Sequence, residues 1–146
     1  MIAYLDSSML ARAYLVDEPG HQEAASLLEN PDVGLITGTW SRIEVSGALV
    51  RAARAGGADQ AGLLRLLDGD LGRDGPVTVV AAEQSEAEEF ALRLVREHAI
   101  RAMDAWHLAV ASLTLPHLVE SDEEAGFATR DDAQSAVAAA LGFQLL

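Results

Sequence analysis

Four acidic residues, Asp6, Glu44, Asp104 and Asp131, stand where side chains can do chemistry. Asp6 ends the apolar run Ile2-Ala3-Tyr4-Leu5. Glu44 falls in the first turn of a helix that follows a second strand. Asp131 comes two residues after Thr129, just past another short strand. Ligands of open parallel α/β sheets bind beyond the carboxyl ends of the strands, so these three map to one edge. Asp104 opens a helix after a break, and its position is less constrained. Carboxylates gathered together repel, and their pKa values rise unless a cation neutralises them. The chain has no Cys and only four scattered His, so the matching cation is hard and oxygen-seeking, Mg²⁺ or Mn²⁺. Such a site activates water and stabilises in-line displacement at phosphorus. The chemistry this implies is metal-dependent phosphodiester hydrolysis.

Each acid also has a purely structural use. Ser41-Arg42-Ile43-Glu44 matches a capping box, which would spend Glu44 on its own helix. Asp104 can serve as an N-cap. Asp131 and Asp132 can lead the last helix, where its dipole favours negative charge. Asp6 has the weakest structural excuse, because a carboxylate ending a buried strand is costly to desolvate without a partner. His107 shares a helix face with Asp104 three residues earlier. It could stand as a partner behind the acids, although a packed histidine is the first reading.

The elements that must position these residues alternate. Strands are expected at residues 2–5, 35–40, 77–80, 127–129 and 143–146. Helices are expected at 8–16, 22–28, 41–54, 59–67, 84–98, 103–113 and 132–141, the last closed by Gly142. Residues 116–126 read as irregular and acidic. Alternation of this kind predicts an α/β fold, with a mostly parallel sheet in one domain spanning residues 1–146. The length of 146 residues and a hydrophobic half of the composition suit one sizeable core. No run approaches the roughly 20 apolar residues of a membrane span. The N-terminus meets Asp6 too early for a signal-peptide core, so the expected location is the cytoplasm. Phosphate-binding and dinucleotide fingerprints, the nucleophile elbow and a His-Glu-x-x-His motif are absent.

Tyr4-Leu5-Asp6-Ser7-Ser8 resembles the opening motif of the PIN-domain family, and of the VapC-type toxins within it. Ser41-Arg42-Ile43-Glu44-Val45 is similar to the family's internal Glu motif. Asp104-Ala105-Trp106-His107-Leu108-Ala109 resembles its Asp-Ala-x-His-Leu-Ala stretch, and Thr129-Arg130-Asp131 its closing Thr-x-Asp. The resemblance runs over essentially the whole chain. It implies a three-layer α/β/α sandwich and a Mg²⁺- or Mn²⁺-dependent ribonuclease. By the same resemblance Asp6, Glu44, Asp104 and Asp131 form the acidic metal cluster. Asp6 and Asp104 would be direct ligands, with Ser8 and Thr129 as adjoining hydroxyls. A cognate antitoxin and a homodimer are also implied. The alternatives are a housekeeping PIN nuclease of RNA processing and a catalytically idle PIN-like protein-binding module.

The segment Leu118–Glu124 is longer and more acidic than the resemblance leads one to expect. It offers Asp122 as a rival fourth acid, and Asp132 is a second. The 10 basic residues, all Arg, face 23 acidic ones, for a net charge of −13. Such a chain is poorly suited to sequence-blind binding of nucleic acid without metal. RNA binding would then depend on metal and on local arginines; Arg12, Arg42 and Arg130 flank the motif segments. The acidity also suits a basic partner, whose Arg could clamp the carboxylates.

Overall fold

Ile2–Leu5 forms strand β1, whose last three residues are fully buried. A strand that is apolar at every position suits a parallel sheet covered on both faces. The computed structural model describes residues 1–146 and places β1 at the centre of five parallel strands. The others are β2 (Gly34–Gly38), β3 (Val77–Val80), β4 (Ala125–Ala128) and β5 (Gln144–Leu145), in the order β3-β2-β1-β4-β5. The helices are α1 (Ser7–Tyr14), α2 (His21–Leu28), α3 (Thr39–Gly56), α4 (Gln60–Asp70), α5 (Gln84–His98), α6 (Ala102–Thr114) and α7 (Asp132–Ala140). A 3-10 turn at Leu115–His117 closes α6.

The strands sort their side chains with a period of two. Tyr4, Ile36 and Phe127 enter one core layer with Leu94, Leu108 and Val137 from α5, α6 and α7. Ala3, Leu5, Leu35 and Ala128 enter the opposite layer with Leu10, Val45, Leu49 and Leu67 from α1, α3 and α4. The result is the expected α/β/α sandwich. Tyr4 and Phe127 are register partners across β1 and β4, and their rings stack at 5.5 Å and 5°. No helix is long and apolar enough to cross a membrane.

Several boundaries differ from the sequence expectation, and one difference matters for the site. Helix α3 begins at Thr39 with Gly38 as N-cap, two residues earlier than expected. Ser41 therefore lies inside the helix, buried, with its hydroxyl 2.6 Å from that of Thr37. The capping-box reading is corrected, and Glu44 is free for other partners. The N-cap reading of Asp104 is corrected too: Arg101 is the N-cap of α6, and Asp104 sits within the first turn. β4 begins at Ala125, inside the segment read as irregular, because Ala125 and Gly126 pair with Ile2 and Ala3.

Candidate active site

The strand order sets the location. The chain passes from β1 outward to β2 and β3, then returns to the other side of β1 as β4. The carboxyl ends of β1 and β4 therefore flank the point where the winding reverses, which is where such sheets open a crevice. Leu5 pairs with Ala128, and the Asp6 N–H donates to the Ala128 carbonyl at 3.1 Å. That register sets Asp6 beside Thr129.

Asp6 is 3 % exposed. Its Oδ1 caps α1 by accepting from the Met9 N–H at 2.9 Å, and accepts from the Ser8 hydroxyl at 2.9 Å. Its Oδ2 lies 3.1 Å from Thr129 Oγ1. Burial pushes the Asp6 carboxyl above its ordinary pKa, and these donors only partly offset it. The Ser8 oxygen also accepts from the Arg130 N–H at 3.1 Å, tying α1 to the end of β4.

Asp104 is raised as well, by burial first and then by the charges of Asp131 and Asp6, against weaker relief from Arg101 and His107. The charges of Asp6 and Asp131 thus reach Asp104, although the three come from separate segments. Asp131 keeps its structural use, since its Oδ1 caps α7 through the Gln134 N–H at 2.9 Å. Asp132 is the exposed first residue of α7. Asp122 lies exposed in the acidic segment before β4. That segment packs at the amino ends of the strands, where Glu123 pairs with the N-terminal ammonium at 2.8 Å and the Glu124 carbonyl accepts from the Ile2 N–H. Asp122 therefore stands at the opposite sheet edge from Asp6.

Glu44 reaches the site from α3. Its Oε2 accepts from the Ser7 hydroxyl at 2.6 Å and lies 2.7 Å from His107 Nε2. Burial raises the Glu44 carboxyl, but the His107 and Ser7 hydrogen bonds outweigh it and hold the group below its ordinary value. His107 is buried as expected, at 2 % exposure, yet it is wired to the acids rather than merely packed. Ser7 was not expected to serve the site, and for His107 the sequence favours packing over a partner role. Ser7 is adjacent to Ser8 in the opening motif, and His107 is one turn from Asp104, so spacing carried the signal. Gln134 was also not anticipated. It is fully buried, its Oε1 lies 2.5 Å from Thr129 Oγ1, and its Nε2 donates to the Asp104 carbonyl at 3.1 Å. Asp131-Asp132-Ala133-Gln134 has the spacing of a capping box, which marks that position.

The arginines differ. Arg12 is spent on the Pro19 and Ser8 carbonyls. Arg42 is paired with Asp68 at 2.7 Å, well exposed on both sides. The Arg130 guanidinium lies against Gly20, whose φ of 86° and lack of Cβ leave it room, and it makes no ion pair.

The donor set suits a hard divalent cation, since every acid is an oxygen ligand and two of them are raised by crowding or burial. No three of the His, Asp and Glu side chains stand close enough to hold one ion between them. Mg²⁺ commonly takes only one or two carboxylates and keeps several waters, so this spacing fits it.

A parallel α/β/α sandwich with a buried aspartate at its winding reversal is the class of protein that these features define. The chain belongs to the PIN-domain family, whose model matches residues 3–140. Among solved structures, the chain is similar to Mycobacterium tuberculosis VapC20, described as a sarcin–ricin loop cleaving toxin. The identity is 20 %, the TM-score 0.62, and the coverage 97 % of this chain and 96 % of that one. It is also similar to VapBC-1 from nontypeable Haemophilus influenzae, at 16 % identity and a TM-score of 0.56, covering 100 % of this chain and 97 % of that one. No curated protein matches the sequence.

Proposed function

We propose that this protein is a metal-dependent endoribonuclease, the toxin of a toxin–antitoxin pair, acting in the cytoplasm as a homodimer. What supports the reading is a PIN fold whose winding reversal carries Asp6, with the Asp104 carboxyl raised by burial first and then by the charges of Asp131 and Asp6. The fold likeness to a toxin described as cleaving the sarcin–ricin loop, and to a VapBC protein, supports RNA as substrate class and an antitoxin as partner.

Asp6 and Asp104 are the residues that would hold Mg²⁺ or Mn²⁺, with Glu44 and Asp131 completing the site. When bound, the cation supplies Lewis acidity at the scissile phosphate and charge stabilisation for the attacking and leaving oxygens. The chain's residues do the rest. Ser8, Thr129 and the Met9 N–H hold the Asp6 carboxylate in one orientation. Asp131, fixed by its capping bond, orients the attacking water. Arg130, whose guanidinium makes no ion pair, is the arginine left to meet an RNA phosphate.

The test is cleavage of total RNA by purified protein, with cleaved ends mapped by sequencing. Mn²⁺ should support cleavage, chelation should stop it, and Asp6→Asn and Asp104→Asn should each reduce it at least 100-fold, the order of loss seen when one transition-state stabilising group is removed. Full activity in Asp104→Asn would overturn the assignment.

A further inference from the structure

Behind the acids lies a buried hydrogen-bonded chain that the proposed mechanism does not use. Tyr4 is fully buried in the central strand, and its hydroxyl oxygen is 2.8 Å from His107 Nδ1. On the far side of the ring, His107 Nε2 is 2.7 Å from Glu44 Oε2 and 3.1 Å from Ser7 Oγ. Ser7 donates to the same Glu44 oxygen at 2.6 Å. Glu44 Oε1 takes no hydrogen bond, and the side chain is 30 % exposed.

For a neutral imidazole the donors and acceptors admit one consistent assignment. An ionised carboxylate only accepts, so the proton between Nε2 and Oε2 resides on nitrogen. A phenol keeps its proton at neutral pH, so the Tyr4 hydroxyl, 2.8 Å from Nδ1, has one to give it. Metal-ligand systems use the same device one shell out, where a second partner sets a ligand's orientation. Here the order is inverted, with the carboxylate outermost and the histidine behind it.

We propose that His107 is a positioning residue, held as its Nε2–H tautomer by Tyr4, and that with Ser7 it pins Glu44 Oε2 so that Oε1 alone is free to serve the site. The proposal rests on the metal-site reading above for its consequence, but not for the lock itself. The backbone accommodates the lock at Gly38. A Cβ there would stand 2.6 Å from the Tyr4 hydroxyl, so only glycine leaves the phenol in reach of the ring.

Two measurements separate the lock from its consequence. Long-range ¹H–¹⁵N correlation on metal-free protein at neutral pH should show the His107 proton on Nε2 and an unprotonated Nδ1. A proton on Nδ1, whether Nε2 is bare or protonated, overturns the proposal, whatever the enzyme activity. Titration with Mn²⁺ followed by calorimetry should then give about 10-fold weaker binding in His107→Leu, the low end of the loss for such supporting partners. His107→Gln, which keeps an N–H donor near the Nε2 position, should recover most of that loss. Ser7→Ala removes a single hydroxyl and should weaken Mn²⁺ several-fold, even where His107→Leu fails to fold. Unchanged Mn²⁺ affinity in Ser7→Ala and in folded His107→Leu overturns the positioning role. A wild type that shows the Nε2–H tautomer but binds no Mn²⁺ overturns the positioning role and the metal-site reading together, and leaves the lock standing.

Discussion

At Asp104 burial and two neighbouring carboxylates act in the same direction, and only Arg101 and His107 oppose them. Asp6 suffers mainly from burial. Both groups are harder to ionise in the folded chain than in the unfolded one, so at neutral pH their charge costs the metal-free protein stability. Removing one charge should therefore raise the melting temperature of metal-free Asp104→Asn above that of the wild type. Metal should reverse the order. Mn²⁺ at about 100 times its Kd stabilises a folded state by about 2.7 kcal/mol, roughly 5–10 °C for a chain of this size. Differential scanning calorimetry should find that shift in the wild type and little of it in Asp104→Asn. Equal shifts in both proteins would show that metal binds elsewhere.

Two of the acids are helix caps as well as site residues, so at the scale of elements their roles must be separated. Asp6 starts α1 and Asp131 starts α7, each through a hydrogen bond to a backbone N–H. The cap fixes the carboxylate's direction, and the helix N-terminus favours its charge. Asn caps a helix about as well as Asp, whereas Ala does not. Asp131→Asn should keep the wild-type denaturant midpoint in metal-free protein and lose RNA cleavage. Asp131→Ala should lose cleavage and, in addition, about 1 kcal/mol of stability. If Asp131→Asn cleaves RNA normally, Asp131 is a cap alone. The sequence already carried the first half of this argument, since Asp131-Asp132 before an Ala-rich run marks a helix start. It misplaced the corresponding start of α3. Ser41 and Glu44 have capping-box spacing, but the sheet ends β2 at Gly38, where Tyr4 needs room, and the helix begins at once.

The whole molecule carries a charge of −13, and most of that repels RNA. Filter binding with a noncleavable RNA should show retention with Mg²⁺ present and almost none after chelation at about 0.15 M salt, where screening leaves only close contacts effective. Retention that ignores chelation would mean that a surface away from the carboxylates binds RNA. The arginines should also divide. Arg130→Ala should weaken RNA binding and lower its salt slope by about 1. Arg42→Ala should do less, because Asp68 already neutralises that guanidinium.

The sequence by itself carried the parallel α/β fold through local pattern, and the layered sandwich and the four candidate acids through resemblance to a family. A strand that is apolar at every position, a helix start with its cap, and an acid at a strand's end are all short-range features. The tertiary structure alone decided which groups stand beside these acids. Asp6 stands beside Thr129, two residues before Asp131, because β4 returns beside β1. That return also strands Asp122 at the far edge. Glu44 gains His107, 63 positions away, and His107 gains Tyr4, 103 positions away. The alternation of β1 placed Tyr4 in a core layer, but nothing local to Tyr4 or His107 says that the two will share a proton. Contacts at such separations depend on how the layers stack, and no window of sequence contains them.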